Sequence, residues 1–208
     1  QDMHAMVQQL MEYADIASQL RDGMKIGIKP NLVVAKRPDS GATTHTELLE
    51  GVIDYLQAHG KFDITIMEGS WVGDSTQRAF RVCGYDRLAE KKGVKLLDLK
   101  HDTFHTHGGI RVCDAPMNVD YLINMPVLKG HCQTTVTCAL KNMKGCLPDS
   151  EKRRFHTQGL HQPIAKLGTI LKPSVTIVDG ICGDLDFEEG GNPVPMNRVM
   201  LGYDSVLI

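Results

Sequence analysis

The stretch from Leu122 to Gly145, LINMPVLKGHCQTTVTCALKNMKG, gathers Lys129, His131, Thr134, Thr137, Lys141, Asn142 and Lys144 just beyond an apolar run that reads as a strand. Ammonium groups, hydroxyls and an imidazole collected past a strand end are the donors that an anion site uses. Lys129 and His131 stand two residues apart, so on extended or turning chain they could share one face. With a carboxylate or phosphate against Lys129, His131 could serve as general acid or base, because imidazole titrates near neutrality. His131 can equally be read as a turn histidine bonded to backbone, or as a metal ligand beside Cys132. His156 lies downstream of the basic run Lys152-Arg153-Arg154, which is too short for a nucleic-acid site and reads as solvated surface. Folded back towards His131, His156 could complete an acid–base pair or a metal site.

Other groups are weighed against simpler accounts. Lys29-Pro30-Asn31 places an ammonium and an amide where the chain leaves a strand, and an anion could lie between Lys29 and the amides of the next helix. A surface lysine beside a proline turn is the alternative. Lys141 and Asn142 fall late in an expected helix over 134–143, where a cation meets the helix dipole and Gly145 would cap the end, an account that also covers Lys144. His101, His105 and His107 form the densest histidine group, with Asp98 and Asp102 nearby, but a solvent loop explains them more simply than a metal. The loop Glu68-Gly69-Ser70 to Thr76 invites comparison with phosphate-binding loops, yet matches neither G-x-G-x-x-G nor the Walker pattern.

The elements that must position these residues alternate. Residues 3–20 carry apolar positions at helical spacing, and residues 24–28 form a short apolar run closed by Pro30. Thr44-x-x-Glu47 matches a capping box opening a helix that Gly60 ends. Strands are expected at 63–67, 94–99, 121–125, 175–178 and 199–201, and helices at 74–82, 86–92 and 162–171. Several strands are apolar throughout, which predicts an α/β fold: a mainly parallel sheet with helices on both faces, Rossmann-like in three layers. The turn-rich, acidic stretch 183–195 could form a small subdomain.

With 208 residues, one domain is expected; both ends look cut, pointing to a longer parent chain. A net charge of −2 gives no field to draw nucleic acid or an anionic membrane, and no run approaches the length of a membrane-spanning helix, so a cytoplasmic protein is expected. The six cysteines include no C-x-x-C pair, so there is no iron–sulfur cluster motif in this segment, and they read as buried free thiols.

The run PxLKxHxxTxVTxALKNxxG over Pro126–Gly145 resembles the core signature of the domain of unknown function 362 family. Lys29-Pro30-Asn31, Gly84-Tyr85, His156, Val178-Asp179-Gly180 and Gly202-Tyr203-Asp204 agree with it, so the resemblance spans roughly residues 24–208. Some members of that family are fused to ferredoxin-like domains, so the resemblance implies a link to redox metabolism and a ferredoxin-like domain as partner. The expectation is an enzyme binding a small anionic metabolite at the carboxyl ends of the strands. Lys29, Asn31, Lys129, Thr134, Lys141 and Asn142 would contact it, and His131 and His156 would move protons. The alternatives are an accessory or docking module of an iron–sulfur protein, whose lysine-rich rim meets an acidic partner, and a metal-dependent enzyme using His131 and His156.

Overall fold

In the computed structural model, which describes residues 2–208, the apolar runs pair into one sheet. The first half contains α1 (Met3–Tyr13), β1 (Lys25–Pro30), α2 (Thr46–His59), β2 (Asp63–Glu68), α3 (Thr76–Cys83), α4 (Tyr85–Lys92) and β3 (Lys95–Asp98). A hairpin of β4 (Phe104–His107) and β5 (Ile110–Cys113), the turn α5 (Asp114–Met117) and β6 (Tyr121–Met125) follow. A second hairpin, β7 (Lys129–His131) and β8 (Thr135–Thr137), leads into α6 (Ala139–Asn142), α7 (Asp149–Gln158), α8 (His161–Ile170), β9 (Val175–Asp184) and β10 (Pro193–Gly202).

The sheet runs β3-β2-β1-β6-β9-β10 and is parallel except for β10, which returns antiparallel beside β9. Both faces are covered, which is why β1 and β6 are almost continuously buried. Ile26, Ile28 and Ile66 pack with Leu48, Val52 and Leu56 on one face, and Met67 and Leu122 pack with Phe155 and Leu167 on the other. From β1 the chain winds outwards through β2 to β3, then returns to the opposite side of β1 with β6. The crevice beyond the carboxyl ends of β1 and β6 is therefore the switch point at which open α/β sheets hold ligands. None of the helices is long and apolar enough to cross a membrane among the described residues.

Four local expectations are corrected. The helix expected over 134–143 starts only at Ala139, because Thr135-Val136-Thr137 pairs with Lys129-Gly130-His131 as an antiparallel ladder. β-branched residues favour that extended pairing. Thr44 does not cap α2: its hydroxyl accepts the Asn31 N–H and donates to the Met125 carbonyl, both at 2.8 Å, stitching the end of β1 to that of β6. The small subdomain expected near 183–195 is instead the turn of a long hairpin between β9 and β10. The basic run Lys152–Arg154, read as solvated surface, lies inside α7 with Lys152 buried.

Candidate functional site

Lys29 sits in register with Asn124 across β1 and β6, and its ammonium is buried. It donates to Glu68 Oε2 at 2.8 Å, to the Pro30 carbonyl at 2.7 Å and to Asn142 Oδ1 at 3.3 Å. An ammonium has three N–H groups, so this one has none left for a ligand. Glu68 is equally engaged: Oε2 also accepts the Leu32 N–H, and Oε1 accepts that of Gly69. Asn142 extends the network by donating to Asn124 Oδ1 at 2.8 Å. Gly145 lies against this pair so closely that a Cβ there would come within 2.3 Å of Glu68 Oε1 and 2.7 Å of Lys29 Nζ. Close approach, not a helix cap, is what that glycine provides.

Beyond the pair, the hairpin turn between β9 and β10 folds over the cleft. Asp184 fastens it by accepting the N–H groups of Asp186, Phe187 and Asn192. Those bonds hold its carboxyl below the usual range although burial pushes the other way. Lys129 fastens it from beneath, donating to the carbonyls of Glu188 (2.7 Å) and Ala42, with Asn31 Oδ1 at 3.5 Å. Burial, reinforced by nearby Lys141, pushes the Lys129 ammonium down to about 7. The turn thereby delivers the Glu188 carboxylate to His131.

His131 has a defined tautomer. Its Nδ1 accepts the N–H groups of Gln133 (2.9 Å) and Thr134 (3.1 Å), so the ring proton is on Nε2, which stands 3.1 Å from Glu188 Oε1. Burial raises the Glu188 carboxyl, but the bond from His131, a backbone hydrogen bond and the neighbouring cationic groups together outweigh it and hold the group down to about 2. Cys132 Sγ is 3.7 Å from the same oxygen, so His131, Cys132 and Glu188 meet as a metal set would. A metal at Nε2 would need the lone pair of a ring whose Nδ1 carries the proton. The two backbone donors on Nδ1 oppose that arrangement, and a hydrogen-bonded His–Glu pair accounts for the geometry.

The residues whose polar atoms lack protein partners line a cavity of about 90 Å³ between β1, β2, β7 and α6. On the scale of water positions that is room for roughly six to nine molecules, the size of a small metabolite. Its wall includes five lysines, Lys29, Lys129, Lys141, Lys144 and Lys152, against two glutamates, Glu68 and Glu188. Trp71, Val33 and Val72 make the apolar side. Lys152 donates to the carbonyls of Gly69 (3.0 Å) and Ser70 (2.9 Å), so the loop after β2 offers its oxygens to a lysine instead of its amides to a phosphate. Lys141 accepts no such assignment: its ammonium makes no hydrogen bond or ion pair among the described residues, and burial lowers it to about 8 against the pull of Glu188. Beside it, the buried Thr137 hydroxyl and Glu188 Oε2 also have no partner. Lys144, pushed down to about 7 by burial and by Lys141, stands 2.6 Å from His156 Nε2. Burial and the neighbouring lysines lower His156 as well, and its Nδ1–H is held by Gln133 Oε1 at 3.1 Å.

The expected residues thus converge, with changed parts. Lys29, Asn31, Lys129, His131, Lys141, Asn142 and His156 all line the cavity. Lys29, Lys129 and Asn142 spend their polar atoms on the protein, which moves them from ligand contacts to supports. Thr134 does not line the cavity; its N–H fixes His131 and its hydroxyl bonds the Val136 carbonyl. His131 as a free base is likewise displaced, since both ring nitrogens are engaged. His105, on the exposed strand β4, pairs with Asp114 of α5 at 2.7 Å, and His101 faces Asp98 instead. Asp179 is buried against His45 at 2.8 Å. Thr137 and Lys144 lay in the opening motif but were assigned no contact, and Lys152 and Glu188 were not expected in the site.

Residues 26–208 match the model of a family described as "Domain of unknown function (DUF362)". The chain belongs to the DUF362 family. This DUF362 chain is 26% identical over 186 residues to the "Thylakoid-associated protein sll1697" of Synechocystis sp. (strain ATCC 27184 / PCC 6803 / Kazusa), a match covering 84% of this chain and 56% of that protein. Its fold is similar to that of the lactate racemase apoprotein from Thermoanaerobacterium thermosaccharolyticum, with a TM-score of 0.59 and 13% identity over 99% of this chain and 54% of the other. The DUF362 chain therefore spans little more than half the length of either relative.

Proposed function

We propose that the cleft binds a small carboxylate or phosphate, held by Lys141 and Thr137, and that His156 with Lys144 moves protons on it. The observation that carries this reading is the pairing of a lysine ammonium without an acceptor and a buried hydroxyl without a partner on the wall of one cavity. A largely buried cation that makes no hydrogen bond is costly unless a ligand adds to the counter-charge of Glu188. The position at the switch point of the sheet and the lysine excess favour an anion. The chain's similar-fold neighbour is named for lactate, which makes small carboxylates the first probes. Burial of Lys29, Lys129 and Lys152 takes them off any surface that an acidic protein could touch, which favours the small ligand over the docking module.

The test is calorimetric titration with acetate, lactate, pyruvate and inorganic phosphate. Because Lys141 sits at about 8, anion binding near that pH should draw a proton from the buffer, so the apparent heat should vary with buffer ionisation enthalpy. Lys141→Met should weaken binding by roughly ten- to hundredfold, the worth of a charge-assisted hydrogen bond. Equal affinity in the variant would remove Lys141 from the site.

A further inference from the structure

Five amines around one cavity are not equivalent. Lys29, Lys129 and Lys152 each direct three donors at oxygens of the protein. Lys141 faces the cavity without any base in hydrogen-bond reach. Of the five, Lys144 alone is paired with an imidazole: His156 Nε2 at 2.6 Å, on a ring whose Nδ1–H is already held by Gln133. We infer that Lys144 is a nucleophilic amine that forms a Schiff base with a small 2-oxo acid, with His156 as its base. This rests on the anion site proposed above.

The geometry suits that class of substrate. Lys141 and Lys144 are three residues apart along consecutive helical turns, so their side chains leave one face with Cβ atoms about 5–6 Å apart. Lys141, Thr137 and Lys144 line the same cavity, so one small 2-oxo acid could meet the first two through its carboxylate and Lys144 through its carbonyl. The low ammonium of Lys144, at about 7, has the physical cause found in amine nucleophiles generally, burial beside other cations. His156 takes one proton from the Lys144 ammonium. The freed lone pair adds to the carbonyl carbon while the carbonyl π pair moves to oxygen, giving a carbinolamine after proton transfer from nitrogen to oxygen. His156 then returns its proton to the hydroxyl, which leaves as water as the C=N bond forms. Ketone and ammonium become iminium and water, with no change of oxidation state and no further reactant.

The experiment is borohydride trapping with pyruvate on the whole chain, followed by digestion and mass spectrometry, alongside calorimetry with lactate, which has the carboxylate but no carbonyl. A reduced adduct on Lys144, absent in Lys144→Arg and formed about a hundredfold more slowly in His156→Ala, is the expected result. Lactate binding without an adduct, or an adduct on a different lysine, would overturn the assignment while leaving the anion site standing. Neither binding nor trapping would overturn both. Because the decisive trapping is done on the unsubstituted chain, a variant that misfolds does not rescue the idea.

Discussion

Replacing Lys29 by Met should destabilise the protein through the carboxylate it leaves behind. At 2.8 Å and an effective dielectric near 20, the Lys29–Glu68 pair carries about 6 kcal/mol of gross attraction. Desolvation of both ions offsets much of that, but the offset is already present in Glu68 once Lys29 is gone. Breaking a buried pair on one side therefore costs about 3–5 kcal/mol, more than the net worth of the pair. The Pro30 carbonyl and Asn142 Oδ1 lose a donor in the same step. For a chain of this size the loss corresponds to a fall in Tm of about 6–20 °C. Urea unfolding of Lys29→Met, Glu68→Gln and the double variant would measure it. The double variant should recover about half of the Lys29→Met loss, because no charge remains buried alone. A loss below about 1 kcal/mol, or a double variant as unstable as the two singles added, would refute the view of Lys29 as an internal support.

Four further outcomes are expected. Gly145→Ala should cost at least about 2 kcal/mol, read by urea unfolding, because the new methyl group meets Glu68 Oε1 at 2.3 Å and Lys29 Nζ at 2.7 Å. Thr137→Val should leave stability within about 0.5 kcal/mol of the parent while weakening small-carboxylate binding in calorimetry, since the hydroxyl removed has no protein partner. Stability should fall as pH drops from about 4.5 towards 2, because the Glu188 carboxyl takes up a proton in the unfolded chain over that range while the folded chain keeps it ionised down to about 2; Glu188→Gln should flatten that limb. Lys129 acts in the opposite range: folded chain binds fewer protons than unfolded chain between about 7 and 10.5, so stability should rise with pH there, and Lys129→Met should reduce the slope in pH-dependent thermal melts, with Lys141 and Lys144 supplying the remainder.

The alternation of apolar runs was enough to read the sheet, because strands buried on both faces need no partner to be recognised. The same reading led to the cleft: Lys29 and Lys129 follow strands that flank the switch point, and position beyond a strand end is a local property of the sequence. Roles were less legible, because they depend on what each side chain meets across the fold. Lys29 and Glu68 are 39 residues apart, and Lys152 reaches carbonyls 82 and 83 residues away. A run of three cations looks solvated until one of them is found buried. The β7–β8 hairpin was hidden by its short strands, although Thr134-Thr135-Val136-Thr137 is a β-branched run that a closer weighing of propensity would have kept out of a helix. Glu188 carried only the faint sign of an acidic turn after a strand ending in Asp184.

The central claim, an anion held between Lys141 and Thr137, is tested most directly by a crystal structure determined with a small carboxylate or phosphate present. The account predicts density for the anion within hydrogen-bond distance of Lys141 Nζ and Thr137 Oγ1, with the Lys29–Glu68 pair unchanged beneath it. An anion bound with both of those atoms still unpartnered, or a cleft filled by protein on contraction of the hairpin turn, would contradict it.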